Sequence, residues 1–169
     1  MSAAAQLLKN FNLYVDGRGY AGNVEEVQLP SLNIKTEEFQ AGGMDAPIAL
    51  DMGMEKLEAT FKISKFDRDI ITQWGIAAGN RVPLTLRGAL ESFDGTVTPV
   101  VVALNGSIHS MEFDAITPGG KGGMTFKMSV VSFRYEQAAE TLIDIDILNM
   151  KRIIGGADRL AQIRNAIGI

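Results

Sequence analysis

The sequence predicts a mainly β fold: a β-barrel or sandwich with one internal helix and a C-terminal helix, α+β overall. Three observations predict it. Residues 54–63 set Leu57, Ala59, Phe61 and Ile63 in alternation with Lys56, Glu58, Thr60 and Lys62, the period of two of a half-buried strand. Further strand-like runs recur about every ten residues, separated by turn residues. Only two segments, one after residue 63 and one after residue 149, space their apolar residues by three and four.

In chain order, residues 11–15 (FNLYV) make a short strand, Asp16-Gly17-Arg18-Gly19 a turn, and 20–29 the returning arm of a hairpin closed by Pro30. Residues 32–39 make another strand, with Leu32 and Ile34 on one face. After the strand 54–63, Ser64 is placed as an N-cap with Asp67 three residues on, as in a capping box. Phe66, Ile70, Trp74 and Ala77 form the helix stripe, Trp74 packs with Phe66 in the core, and Gly79-Asn80 stops the helix. Val82, Leu84 and Leu86 then alternate with polar residues. Residues 97–104 are a β-branched run ended by Asn105-Gly106, a strong turn signal, with 107–116 returning beside it. Pro118 to Gly123 is a glycine-rich turn, and in 124–135 Met124, Phe126, Met128 and Val130 share one face. Residues 141–147 are a further strand. From about 149 the chain is expected to be helical in two pieces split by Gly155-Gly156, with Leu160, Ile163 and Ile167 as the second stripe.

A length of 169 residues suits a single domain, 1–169, with one real core. The chain is 46% hydrophobic and 21% charged, ordinary for a globular protein. No run of about 18 apolar residues is present, so no membrane span or stable insertion of the monomer is expected. The N-terminus MSAAAQLLKNF is short and weakly apolar for a secretory signal. Zero cysteines remove disulfides, thiolate metal sites and cysteine nucleophiles together. A net charge of −4 gives no basic footprint for nucleic acid.

Constellations that could carry chemistry do not survive their own requirements. Gly17-x-Gly19-x-x-Gly22 spells a dinucleotide fingerprint, but Pro30 arrives before any crossover helix could form, so a hairpin turn is expected. Gly119-Gly120-Lys121-Gly122-Gly123 lacks the Ser or Thr and the spacing of a phosphate loop. His109, the single histidine, has Glu112 nearby but no nucleophile or oxyanion donor implied by spacing. Asp144 and Asp146 share a strand face, which reads as a polar sheet face, since a hard cation needs several more oxygen ligands. The expectation is no catalytic set, no cofactor and no metal.

The stretch 39–54, FQAGGMDAPIALDMGM, is the most informative. It holds three glycines and three of the eight methionines, with only Asp45 and Asp51 charged. A flexible apolar segment of this kind suits another protein surface, where unbranched thioethers adapt to a partner. It is expected to be an extended inter-subunit loop, with Gly42, Gly43, Met44, Asp45, Pro47, Ile48, Leu50 and Met52 as contact residues. The C-terminal segment 149–169 offers Leu160, Ile163, Arg164 and Ile167 either to its own barrel or to a neighbour.

Three blocks carry a resemblance: FNLYVDGRGYAGNVEEVQLPSLNIKTE, FQAGGMDAPIALDMGMEKLEATF and NMKRIIGGADRLAQIRNAIGI. Together with Trp74-Gly75 they resemble the major tail tube protein of contractile-tailed bacteriophages and R-type bacteriocins. The resemblance spans residue 10 to residue 169, and 88–140 adds little to it. It implies a non-enzymatic subunit without cofactor. Such subunits form six-membered rings that stack into a hollow tube, surrounded by a tail sheath protein and driven through the target envelope on contraction. It further implies a tape-measure protein, baseplate and tail-terminator partners, DNA in the lumen if the particle is a phage, and assembly in the bacterial host cytoplasm into a virion tail or bacteriocin particle. Two other readings stay open: the tube protein of a type VI secretion system, and a small-ligand-binding β-barrel.

Overall fold

A computed structural model describes residues 6–76 and 79–169. Twelve strands and two helices follow one another in it. They are β1 (Gln6–Val15), β2 (Arg18–Gly19), β3 (Val24–Gln28), β4 (Ile34–Phe39), β5 (Ile48–Met54) and β6 (Leu57–Ile63), then α1 (Arg68–Ile71). After it come β7 (Val82–Ser92), β8 (Val97–Phe113), β9 (Met124–Gln137), β10 (Glu140–Asp146), β11 (Lys151–Ile154), β12 (Ala157–Asp158) and α2 (Ala161–Ile167). All described pairings between strands are antiparallel.

Ten strands make one sheet, and β4 and β5 make a second, two-stranded one. The large sheet runs β12-β11-β10-β9-β8-β7-β1-β2, with β6 also on β9 and β3 on β6. Strand β9 gives one edge to β8 along its whole length, from Met124 to Gln137. Its other edge is shared: β6 takes Met124–Val130 and β10 takes Ser132–Gln137. The sheet therefore forks beside Val130 and Val131, and this fork shapes the surface described below.

One hydrophobic core lies inside the curled sheet. The alternation in residues 54–63 does what its period requires: Leu57, Ala59, Phe61 and Ile63 are each at most 1% exposed. They meet Met124, Phe126, Met128 and Val130 of β9, Val82, Leu84 and Leu86 of β7, Val102 and Leu104 of β8, and Leu13 and Val15 of β1. No helix among the described residues is long and apolar enough to cross a membrane.

Several elements differ from the sequence expectation. The turn at Asp16-Gly17 is present, with φ of 48° and 76°, the left-handed pair a tight hairpin needs. Its returning arm stops at Gly19, however, and Val24–Gln28 pairs with β6 instead of β1. The internal helix is one turn long. Asp67, not Ser64, caps it, accepting from the Asp69 N–H at 2.9 Å, while the Ser64 hydroxyl and N–H donate to the Asn23 carbonyl. Of the predicted stripe only Ile70 is buried; Phe66 and Trp74 are half exposed, and Ala77 lies outside the described residues. Trp74 leaves the helix to bridge Ile108, with its indole N–H on the His109 carbonyl.

Asn105-Gly106 is not a turn either. Strand β8 runs straight through it, with a register shift against β9. The glycine is required for a different reason: a Cβ there would overlap the Ser129 carbonyl of β9. Gly106→Ala must push β8 off β9, and a loss of about 1–3 kcal/mol of unfolding free energy is expected in a denaturant titration. The first of the two expected C-terminal helices is a strand. Gly155 and Gly156, with φ of 58° and 81°, turn β11 back into β12, and only α2 is helical.

Candidate assembly surface

The segment 39–54 is half strand. Strand β5 pairs with β4 from Ile34↔Met54 to Phe39↔Ile48, with a register shift between Ile34 and Thr36. The expected inter-subunit loop is thus a β-hairpin whose tip, 40–47, carries the glycines. Gly43 takes φ 92°, a conformation L side chains rarely adopt. Met44 is spent on the tip itself: its N–H donates to the Ala41 carbonyl, and its own carbonyl accepts from the Gln40 amide at 3.1 Å.

Period two sorts the hairpin side chains. Ile48, Leu50 and Met52 fall on one face of β5, and Phe39, opposite Ile48, joins them from β4. These four are between 42% and 53% exposed, so a largely apolar sheet face stands in water, with Glu37, opposite Leu50, the carboxylate on it. Among the described residues, strands β4 and β5 pair only with each other. Two-stranded sheets are marginal alone, and large uncovered apolar patches mark interaction sites.

The base of this hairpin enters the fork of the large sheet. There Met54, Leu57, Val130, Val131, Ile145, Ile147, Leu160 and Ile163 line an open groove of about 750 Å³. Leu32, Ile34 and Ile154 extend its apolar wall, beside Arg152 and Arg159. The groove exists because β6 and β10 diverge from one edge of β9, and α2 covers only part of the gap. The C-terminal residues expected from the sequence divide here. Leu160 is half buried in the groove wall, Ile163 lines it while 48% exposed, and Ile167 faces outward at 59%. Arg164 serves the fold of its own chain, donating to the Asp158 carboxylate at 2.6 Å and to the Met150 carbonyl at 2.8 Å. Arg164 also holds the Asp158 carboxyl below the usual carboxylate range, with help from the Leu160 N–H.

One ion pair ties hairpin to body: the Arg152 guanidinium donates to the Asp51 carboxylate at 3.1 Å. The Gly53 N–H, bonded to Asp51 at 2.8 Å, is the main influence holding this carboxyl below the usual range; Arg152 adds to it against partial desolvation. A carboxylate depressed in the folded state contributes stability above its unfolded pKa, about 3.9 for Asp, and loses it as pH falls through the folded value. The hairpin base is therefore expected to be unchanged from pH 7 to 5 and to loosen below about pH 4. The Gly53 amide resonance should titrate in that acid range, and Asp51→Asn should remove the transition.

The other positions weighed from the sequence make contacts within the chain. His109 contacts the Ser129 hydroxyl at 3.3 Å and lies 4.0 Å from Glu58. Asp144 pairs with Arg134, and Asp146 accepts from the Leu148 and Asn149 N–H groups. Lys121 of the glycine-rich turn pairs with Glu25. No group of three or more potential metal ligands occurs among the described residues.

Comparison with known proteins shows the family. The family model for phage tail tube protein FII matches residues 5–168. The tail tube protein of Escherichia phage P2 is 31% identical over 175 residues, covering 99% of each chain. The major tail tube protein of Serratia phage KSP20 is 27% identical, covering 87% of this chain and 86% of that one. Among solved structures, the sheath/tube terminator of an extracellular contractile injection system, PVC, shares the fold with a TM-score of 0.57 at 12% identity, covering 76% of this chain and 94% of that one. The PVC sheath-tube complex does so at 0.55 and 14%, covering 75% and 87%. Matched along nearly its whole length, the chain belongs to the phage tail tube protein FII family and is a structural subunit of a tail tube.

Proposed function

We propose that six copies of this chain close into a ring, that rings stack into the inner tube of a contractile tail, and that the β4–β5 hairpin makes the contact between copies. The observation that carries this reading is the uncovered apolar face of Phe39, Ile48, Leu50 and Met52 on a sheet that, among the described residues, pairs only with itself. A tube of repeated copies supplies the missing cover. It also hides free strand edges, which otherwise invite uncontrolled pairing. A cyclic ring uses heterologous contacts, and stacking such rings gives an open filament.

A sheath surrounds the tube, a tape-measure protein sets its length, and baseplate and terminator close its ends; solved sheath-tube and terminator assemblies contain subunits of this fold. Contraction of the sheath drives the tube through the target envelope, and DNA uses the lumen when the particle is a phage. With a net charge of −4 per copy, the ring as a whole repels rather than retains that DNA. The role is structural, made and assembled in the host cytoplasm, with no catalytic step. Sedimentation and negative-stain microscopy of the concentrated chain test it. Rings or tubes roughly 100 Å wide or narrower are expected from element dimensions. A chain that stays monomeric at every concentration, with tail partners supplied, contradicts it.

A further inference from the structure

The β4–β5 hairpin joins the body through a narrow base, and one carboxylate governs that base. We infer that Asp51 and Arg152 form a strap that sets the angle between hairpin and body in the free subunit, with Arg152 as the positioning residue, so that the hairpin is already aimed when the tube grows. The strap belongs to the single chain; its use in assembly rests on the tube reading above.

Among the described residues, the hairpin 34–54 has a single polar link to the rest of the chain: the Arg152 guanidinium donates to Asp51 Oδ2 at 3.1 Å. The other oxygen of that carboxylate, Oδ1, accepts from the Gly53 N–H at 2.8 Å. Gly53 takes φ 96° where the register shifts, so that Met52 and Gly53 of β5 stand against Lys35 alone on β4. A bulge of this kind bends its strand. Asp51 therefore holds the bend with one oxygen and the body with the other.

Burial makes Arg152 a demanding partner. Its side chain is 15% exposed, the least of the ion-paired cations among the described residues. It lines both the groove and a neighbouring hollow of about 360 Å³ walled by Leu32, Ile34, Met54, Ile145 and Ile154. A cation held among apolar side chains is costly to leave unpaired. Asp51 is its one ionic partner among the described residues. The groove's other carboxylates, Glu55 and Asp146, are engaged by the Asn33 and Asn149 amides. Any swing that carries Asp51 away strands the Arg152 charge, so the hairpin keeps one angle. Ordering a mobile arm at the moment of association costs conformational entropy, and a strap made on folding removes that cost from assembly.

The cysteine-free chain lets two spin labels report the angle, at Ala46→Cys in the hairpin tip and Ser107→Cys on β8. Pulsed electron–electron double resonance on the full-length monomer, below the concentration of assembly, reads the distance between them. With the strap intact one narrow distance is expected. Asp51→Asn keeps an oxygen for Gly53 and drops the charge; Arg152→Met suits the apolar wall and drops the cation. Each should at least double the width of the distribution. Arg152→Met should do so with no loss in thermal midpoint, since an apolar side chain commonly replaces a buried ion pair without loss of stability. It should also raise the critical concentration for tubes at least threefold. A width unchanged in both variants, or already broad with the strap intact, would overturn the strap. A broadened hairpin with an unchanged critical concentration would overturn its part in assembly. Failure of the unaltered chain to assemble would overturn the tube reading, with the monomer distances still deciding the strap.

Discussion

Ile48→Asp and Leu50→Asp are each expected to abolish tube formation while leaving the subunit folded. Both side chains lie on the hairpin's apolar face and outside the core, so their replacement removes no core packing. Surface changes of this kind shift stability by about 0.5 kcal/mol or less. In the assembled state a carboxylate at the centre of an apolar contact must be stripped of water, which costs several kcal/mol when nothing pairs with it. Every copy repeats the defect, so it is multiplied along the tube. Sedimentation should show monomer only, with an unchanged thermal midpoint. Wild-type tubes from both variants would remove the hairpin from the account.

Phe126→Ala is expected to have the largest effect on the fold, about 3–5 kcal/mol of unfolding free energy. Phe126 and Phe61 sit directly opposite on β9 and β6, their ring centroids 5.1 Å apart and nearly parallel. Both are at most 1% exposed, so deletion of either ring leaves a cavity in a dense core. Against a typical total of about 5–15 kcal/mol, the variant loses a large share of its stability. Phe126→Leu, close in volume, should lose less than half as much. A denaturant midpoint within error of wild type for Phe126→Ala would contradict the placement of this core.

Where a strand has one wet and one dry face, the sequence reveals it. Residues 54–63, 82–86 and 124–130 fall on core and solvent as their alternation requires. The hairpin was half legible. Ile48, Leu50 and Met52 have the same alternation, but the glycines around them signal a loop, and no local feature shows that β4 is the partner. The C-terminal segment misleads for a related reason. Lys151–Ile154 carries no pattern that separates one turn of helix from a short strand, and pairing with Ile143–Asp146 decides it. Asn105-Gly106 is a strong turn signal overruled by tertiary structure, since the glycine is there to admit the Ser129 carbonyl. The groove itself was not legible. It is made by two strands sharing one edge of β9, and its rim residue Arg152 reaches Asp51 across 101 positions of sequence.

A helical reconstruction of tubes grown from this chain by electron cryo-microscopy tests the central claim most directly. The account predicts that Phe39, Ile48, Leu50 and Met52 of each copy are buried against another copy. A tube in which this face points into solvent, with copies joined through other surfaces, would contradict it.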